Sequence, residues 1–219
     1  LQAELGVRFE EVADTATSYG QIRMGNNTQR SSAGYAFLPY SVNNDKSGDI
    51  WLNRSTPATQ ADLAPGTPGW ATLVHEIGHA LGLNHPGDYN AGEAATNAPG
   101  NYLGRLEDNT NYTIMSYTDA GGGQQRDWFG MYDLLTLRTL YGTGSPRTGD
   151  TVYRYGDSTG SLLAIVNDAG GTDTLDVSAA TLGAAIDLIP GRFSSVGRNG
   201  AAAANNNLSI DLATVIENV

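Results

Sequence analysis

All three histidines of this 219-residue chain fall within eleven positions, in the run His75-Glu-Ile-Gly-His-Ala-Leu-Gly-Leu-Asn-His85. Imidazoles clustered in this way point to a metal. His75 and His79 are four residues apart, which on a helix places them one turn apart on the same face, with about 5 to 6 Å between Cβ atoms. Both rings can therefore reach one ion. Zinc takes nitrogen ligands at about 2.0 to 2.1 Å and, in catalytic sites, leaves a fourth position open beside three protein ligands. On an unbroken helix His85 would lie about 9 Å beyond His79 along the axis, out of reach of the same ion. The helix must therefore end between them. Gly82 suits that end, since positive φ costs glycine little, and Pro86 forbids further helix. Glu76, beside the first ligand, is free to take the proton of the attacking water.

The elements that must hold these residues are legible in outline. A helix is expected from about residue 69 to 81, opened by Pro68 after a stretch at 54–67 rich in Pro, Thr and Ala. Residues 6–12, 21–24, 33–39 and 49–53 read as strands of a mixed sheet. Residues 84–123 show no apolar period, a connection far longer than the usual 4 to 6 residues or so, and such loops are usually functional. A second helix is expected at about 126–141, with Gly142 as its stop. Beyond it, residues 152–155, 162–166, 174–177, 185–189 and 208–212 read as short strands between Gly, Asp and Asn turns. The expected fold class is α+β: a catalytic unit at 1–143 with a mixed twisted sheet and active-site helix, then a partial all-β appendage at 144–219.

Composition narrows the function classes. With 12 basic and 23 acidic residues the net charge is -11, which repels phosphate backbones and argues against nucleic acid as a partner. Bound divalent cations would relieve that charge. There is no cysteine, so neither disulfides nor thiolate chemistry contributes. No run approaches the roughly 18 apolar residues of a membrane span, so membrane insertion is not expected. Residues 1–10 lack the pattern of a signal peptide and read like the middle of a domain.

The extended spacing H-E-x-x-H-x-x-G-x-x-H is that of metzincin proteases. More narrowly, residues 75–92, HEIGHALGLNHPGDYNAG, resemble the zinc segment of the serralysins, secreted calcium-dependent bacterial metzincins. Downstream, Thr113-Ile-Met-Ser-Tyr-Thr118 is similar to the family's Met-turn. The resemblance implies that Met115 forms an apolar floor beneath the metal, and that Tyr117 reaches the zinc at rest and swings toward the transition state during turnover. Residues 147–151 and 168–173 are similar to segments that hold structural calcium where the family's β-roll begins. By resemblance Arg147, Gly149 and Thr151 would share one ion with Asp168, Gly170 and Asp173, and Gly171, Asp173, Val215 and Glu217 would hold another. Calcium chemistry agrees, since carboxylates flanking glycines supply charge and open backbone carbonyls. The family's first helix has no counterpart before Leu1 and its glycine-rich repeats are missing after Glu217, so a fragment or processed form is expected.

The resemblance implies a secreted, extracellular, monomeric zinc endopeptidase of broad specificity acting on polypeptides, with room for a proteinaceous inhibitor as partner. The substrate is expected along an edge strand at Ile50, Trp51 and Leu52, where backbone pairing binds peptides with little regard to sequence. The competing reading is a catalytically silent calcium-binding or adhesive module on the same fold. Intact Glu76 argues against it.

Overall fold

The computed structural model describes residues 1–39, 45–55, 63–90, 100 and 102–219. Three short strands, β1 (Met24–Asn27), β2 (Gly34–Ala36) and β3 (Ile50–Asn53), form a sheet in the order β1-β3-β2. β1 runs parallel to β3, with Met24 opposite Ile50, and β2 runs antiparallel to it, with Tyr35 opposite Trp51. Helix α1 (Pro68–Ala80) lies against β2 and β3. Its start follows from the sequence: Thr67 caps it by accepting the Trp70 N–H, and Pro68 takes the first position, where no donor is needed.

After the long loop come β4 (Gln125–Arg126) and helix α2 (Met131–Tyr141). Val74, Leu81, Leu83, Ile114, Met115, Phe129, Leu134 and Leu137 build one apolar core with Leu5. The rest of the chain is β structure with one 3-10 turn at Asp157–Ser161. β5 (Val152–Gly156) pairs with β7 (Thr174–Ala179). β6 (Leu162–Val166), β8 (Ala184–Ala185), β9 (Phe193–Val196) and β12 (Leu208–Ile210) join β4 in a sheet ordered β4-β6-β12-β9-β8. β10 (Arg198–Asn199) and β11 (Ala202–Ala203) make a small ladder. A second core of Val166, Leu175, Val196, Leu208, Ile210 and Ile216 lies here. The halves are tied together by the β4–β6 pairing and by a buried ion pair between Arg138 on α2 and Asp211.

Several expectations change. Residues 6–12 form no strand: Phe9 and Val12 are 41% and 49% exposed, and the bridge between Leu5 and Thr143 lies just before the segment, so apolar alternation without a ladder partner stays irregular. The strand expected at 21–24 starts instead at Met24, where in-register pairing with β3 begins. The second helix starts five residues later than expected. Arg126 is taken into β4, and Asp133 accepts the Gly130 N–H at the helix start. The strand expected at 185–189 shrinks to two residues, and β9 to β11 carried too little alternation to be anticipated. Parts of the stretch at 54–67 and of the 84–123 loop, and the last two residues of the 75–92 segment, lie outside the described residues.

Candidate metal centre

α1 presents His75 and His79 on one face, and the chain then reverses as the spacing requires. Gly82 has φ of 98°, in the region that disfavours any side chain, and Leu83 donates its N–H back to the Gly78 carbonyl. The reversal carries His85 under the helix. The three Nε2 atoms stand 3.1, 3.2 and 3.1 Å apart. Three nitrogens at about 2.0 to 2.1 Å from one tetrahedral zinc would be separated by about 3.3 Å, so the triangle fits. Among the described residues, no other group of three or more His, Cys, Asp or Glu side chains gathers its ligand atoms this closely.

The opposite ring nitrogens decide the protonation. Nδ1 of His75 lies 2.8 Å from the Ile114 carbonyl, that of His79 lies 2.8 Å from the Leu83 carbonyl, and that of His85 lies 2.9 Å from Oδ1 of Asn90. All three partners are acceptors, so each Nδ1 carries the hydrogen and each Nε2 turns a bare lone pair into the same point. Three lone pairs so close repel unless a cation lies between them. A proton is a poor substitute: burial, then the charge of His79, pushes His75 down to about 3, and burial, opposed by the Leu83 carbonyl, pushes His79 down to about 4. Burial lowers His85 as well. The site is built for a metal ion.

Glu76 points from α1 toward β2. A Cβ placed on Gly34 would lie 2.9 Å from its Cγ, so glycine at that strand position leaves the space the carboxylate occupies. Burial pushes Glu76 up to about 8, and its Oε2 is buried without a hydrogen-bond partner. The carboxylate opens into a cleft of ≈ 430 Å³ lined by residues 31–34 and by Thr72, His75, Ile114 and Tyr117.

Met115 is 2% exposed, and a Cβ on Gly78 would come within 2.7 Å of its sulfur. It therefore packs against the helix that carries the ligands. Tyr117 is half exposed, its ring 4.6 Å from that of His85 and 5.8 Å from that of His75. Tyr89 stacks on it at 4.9 Å. The Tyr89 hydroxyl and the Ser116 hydroxyl both donate to Asp108, at 2.7 and 2.6 Å, which joins the loop after His85 to the Met115 turn. Tyr89, Asn90 and Ser116 lie within the quoted zinc and Met-turn segments, which assign them no role of their own. The signal for Asn90 was its place within the quoted zinc segment, whereas Asp108 carries no local signal at all.

The substrate site expected on Ile50, Trp51 and Leu52 needs correction. β3 is the central strand, and β1 and β2 occupy both of its edges. Ile50 is fully buried and, with Leu52, lines a different cavity beside Met24 and Leu73. No peptide can pair with that backbone. Among the described residues the free edge nearest Glu76 belongs to β2, and residues 31–34 leading into it line the cleft.

The residues expected to hold calcium are partly gathered. Ala169 donates its N–H to the carbonyls of Pro146 and Arg147. A Cβ on Gly171 would meet the Gly149 backbone at 2.6 Å, so the two glycine turns touch. Asp173 is wholly buried; its Oδ1 accepts the Thr151 N–H at 2.8 Å, while its own N–H is given to Glu217 at 2.7 Å. Gly170 donates to Asp168. Burial, then the charges of Asp168 and Glu217, raise the Asp173 pKa against the Thr151 hydrogen bond, and its Oδ2 has no partner. Val215 is 62% exposed, and its side chain is not part of this cluster.

A family model described as Metallo-peptidase family M12 matches residues 10–129, and one described as Peptidase M10 serralysin C terminal matches residues 130–219. Serralysin of Proteus mirabilis is 38% identical over 235 residues, covering 97% of this chain and 45% of that protein. The chain belongs to the serralysin metallopeptidases. Serralysin G of Dickeya chrysanthemi is 36% identical and Metalloprotease AprA of Pseudomonas entomophila (strain L48) 34% identical, each over 97% of this chain and 47% of the relative. The chain thus spans about half the length of the curated relatives it matches. The metal expected of a serralysin metallopeptidase agrees with the histidine triangle. Among the described residues no helix is long and apolar enough to cross a membrane.

Proposed function

We propose that this chain is a zinc endopeptidase that hydrolyses internal bonds of extracellular polypeptides with broad specificity. The observation that carries the reading is the convergence of three unprotonated Nε2 atoms beside Glu76, whose carboxylate opens into a cleft bounded by a free strand edge. His75, His79 and His85 would hold the ion. A zinc ion held there would supply Lewis acidity, polarising the scissile carbonyl and lowering the pKa of a water. Glu76 takes the proton of that water and later hands it to the leaving amine. Beside a cation its carboxylate form is favoured, which offsets the effect of burial. An extended substrate pairs its backbone with β2, so that side chains contribute little to selection. A silent adhesive module would have no use for a buried, unpartnered Glu76.

Tyr117 is assigned as the donor to the developing oxyanion, supported by its ring standing against those of His75 and His85. Such a donor acts mainly in the transition state. Tyr117→Phe should lower kcat and kcat/KM together, by about 10²-fold or more, with KM near its original value and zinc close to one per chain. A rise in KM alone would make Tyr117 a wall of the substrate site.

Calcium is proposed for the turns at 147–151 and 168–173 with Asp173 and Glu217. Support comes from the buried, partnerless Oδ2 of Asp173 amid two further carboxylates. Units 1–143 and 144–219 are proposed on the strength of the two apolar clusters, with β4 reaching across. Removing calcium at constant zinc should expose the part after Gly142 to proteolysis, because an ion bound to the native state alone stabilises it. Equal resistance with and without calcium would contradict the assignment. The proposed location is extracellular, and a proteinaceous inhibitor would compete with substrate for the cleft.

A further inference from the structure

One buried acid close to the centre has no part in the mechanism above. Asp133 is 2% exposed and sits in the first turn of α2. Its Oδ2 accepts the Gly130 N–H at 2.7 Å, the ordinary service of an acid at a helix start. The same oxygen also accepts the Ile114 N–H at 2.8 Å, and Oδ1 accepts the Thr113 hydroxyl. Thr113 Oγ1 in turn accepts the Met115 N–H at 3.0 Å. One carboxylate thereby fixes residues 113–115, which a helix cap alone does not require.

Ile114 connects this arrangement to the metal ligands. Its N–H is held by Asp133, and its carbonyl receives Nδ1–H of His75 at 2.8 Å. That hydrogen bond sets both the tautomer and the ring orientation of His75. Burial raises the Asp133 pKa, opposed by the hydrogen bonds from Thr113, Ile114 and Gly130 and by the buried guanidinium of Arg126, whose own donors go to the carbonyls of Thr110, Asn111, Trp128 and Phe129.

We propose that Asp133 is a positioning residue for His75, holding Ile114 so that its carbonyl keeps the Nε2 lone pair of His75 aimed at the shared ion. The proposal rests on reading His75 as a metal ligand. It explains why a buried carboxylate spans the start of α2 and the Met115 turn, two segments far apart in the chain.

The test compares Asp133→Ala, Asp133→Asn and Thr113→Val with the parent chain and with Asp211→Asn, which disturbs the buried Arg138 pair at the far end of the same helix. Three readouts are taken on folded protein: zinc affinity by chelator competition, the visible spectrum of the cobalt-loaded chain, and the nitrogen chemical shifts of the His75 ring without metal. Asp133→Ala should weaken zinc binding about 10- to 100-fold, the usual cost of removing a partner behind a ligand. It should also shift the cobalt bands and erode the Nδ1–H tautomer of metal-free His75. Asp133→Asn should recover most of this, because its amide oxygen can accept both N–H groups while its NH₂ donates to Thr113. Asp211→Asn should lower stability and leave zinc affinity and the His75 shifts unchanged. Should Asp133→Ala fail to fold, Thr113→Val carries the test through the same three readouts. The proposal is overturned if the alanine or valine variant keeps parental affinity and His75 shifts, or if Asp211→Asn weakens zinc binding equally. A parent chain that binds no zinc contradicts the metal-site reading alone, and the metal-free His75 shifts still decide whether Asp133 positions the ring.

Discussion

Glu76→Gln is expected to keep its zinc and to lose roughly two or more orders of magnitude in peptide hydrolysis. The substitution preserves shape and removes only the ability to accept a proton, and general-base catalysis is typically worth about 10² to 10⁴ in rate. The ligands are untouched, since each histidine ring is oriented by Ile114, Leu83 or Asn90 and none by Glu76. The loss should fall on kcat and leave KM nearly unchanged, the pattern of an interaction made in the transition state. Zinc lost in step with activity would instead make Glu76 a structural support of the site. Full activity with zinc in place would remove it as the base.

The second large effect is an acid-sensitive metal-free chain. His75 and His79 are held at about 3 and about 4 in the folded state against an ordinary 6.5. Between those values the unfolded chain binds more protons, so their contribution is present above pH 6.5 and is lost as pH falls toward 4. Glu76, raised from 4.5 to about 8, acts the other way: its contribution is present below pH 4.5 and is lost as pH rises through 8. Asp127, Asp133 and Asp173, raised chiefly by burial, share the direction of Glu76. The histidine part is therefore read as a difference between the parent and a His75→Gln/His79→Gln variant, both free of metal, in urea unfolding. From pH 6.5 to 4 the parent should lose on the order of a few kcal/mol more than the variant. A difference that stays flat over this range would mean that the imidazoles are not held unprotonated.

The ligand set was readable because its geometry is local. Four-residue spacing on a helix, a glycine able to take positive φ and a proline after the third histidine are written within twelve positions, and α1 follows them closely. The start of α2 is not legible locally because Asp133 and Arg126 act through partners outside the helix: Asp133 reaches back to Thr113 and Ile114, and Arg126 to Thr110 and Asn111. Strand order failed for a related reason. The residues of 49–53 announce a strand, but whether it is central or an edge depends on where β1 and β2 pair, and neither carries a pattern that ranks them. Asp108 likewise collects two hydroxyls from segments that only the fold brings together.

The proposed zinc endopeptidase activity rests on three convergent imidazoles and Glu76. Its most direct test is to strip the purified chain of metal, titrate zinc back at constant calcium, and follow bound zinc together with the appearance of internal casein fragments. The stripped chain should not cleave, and cleavage should return linearly with added zinc and break at one zinc per chain. Cleavage that survives removal of zinc, or one bound zinc per chain with no cleavage of casein or other unfolded proteins, would contradict it.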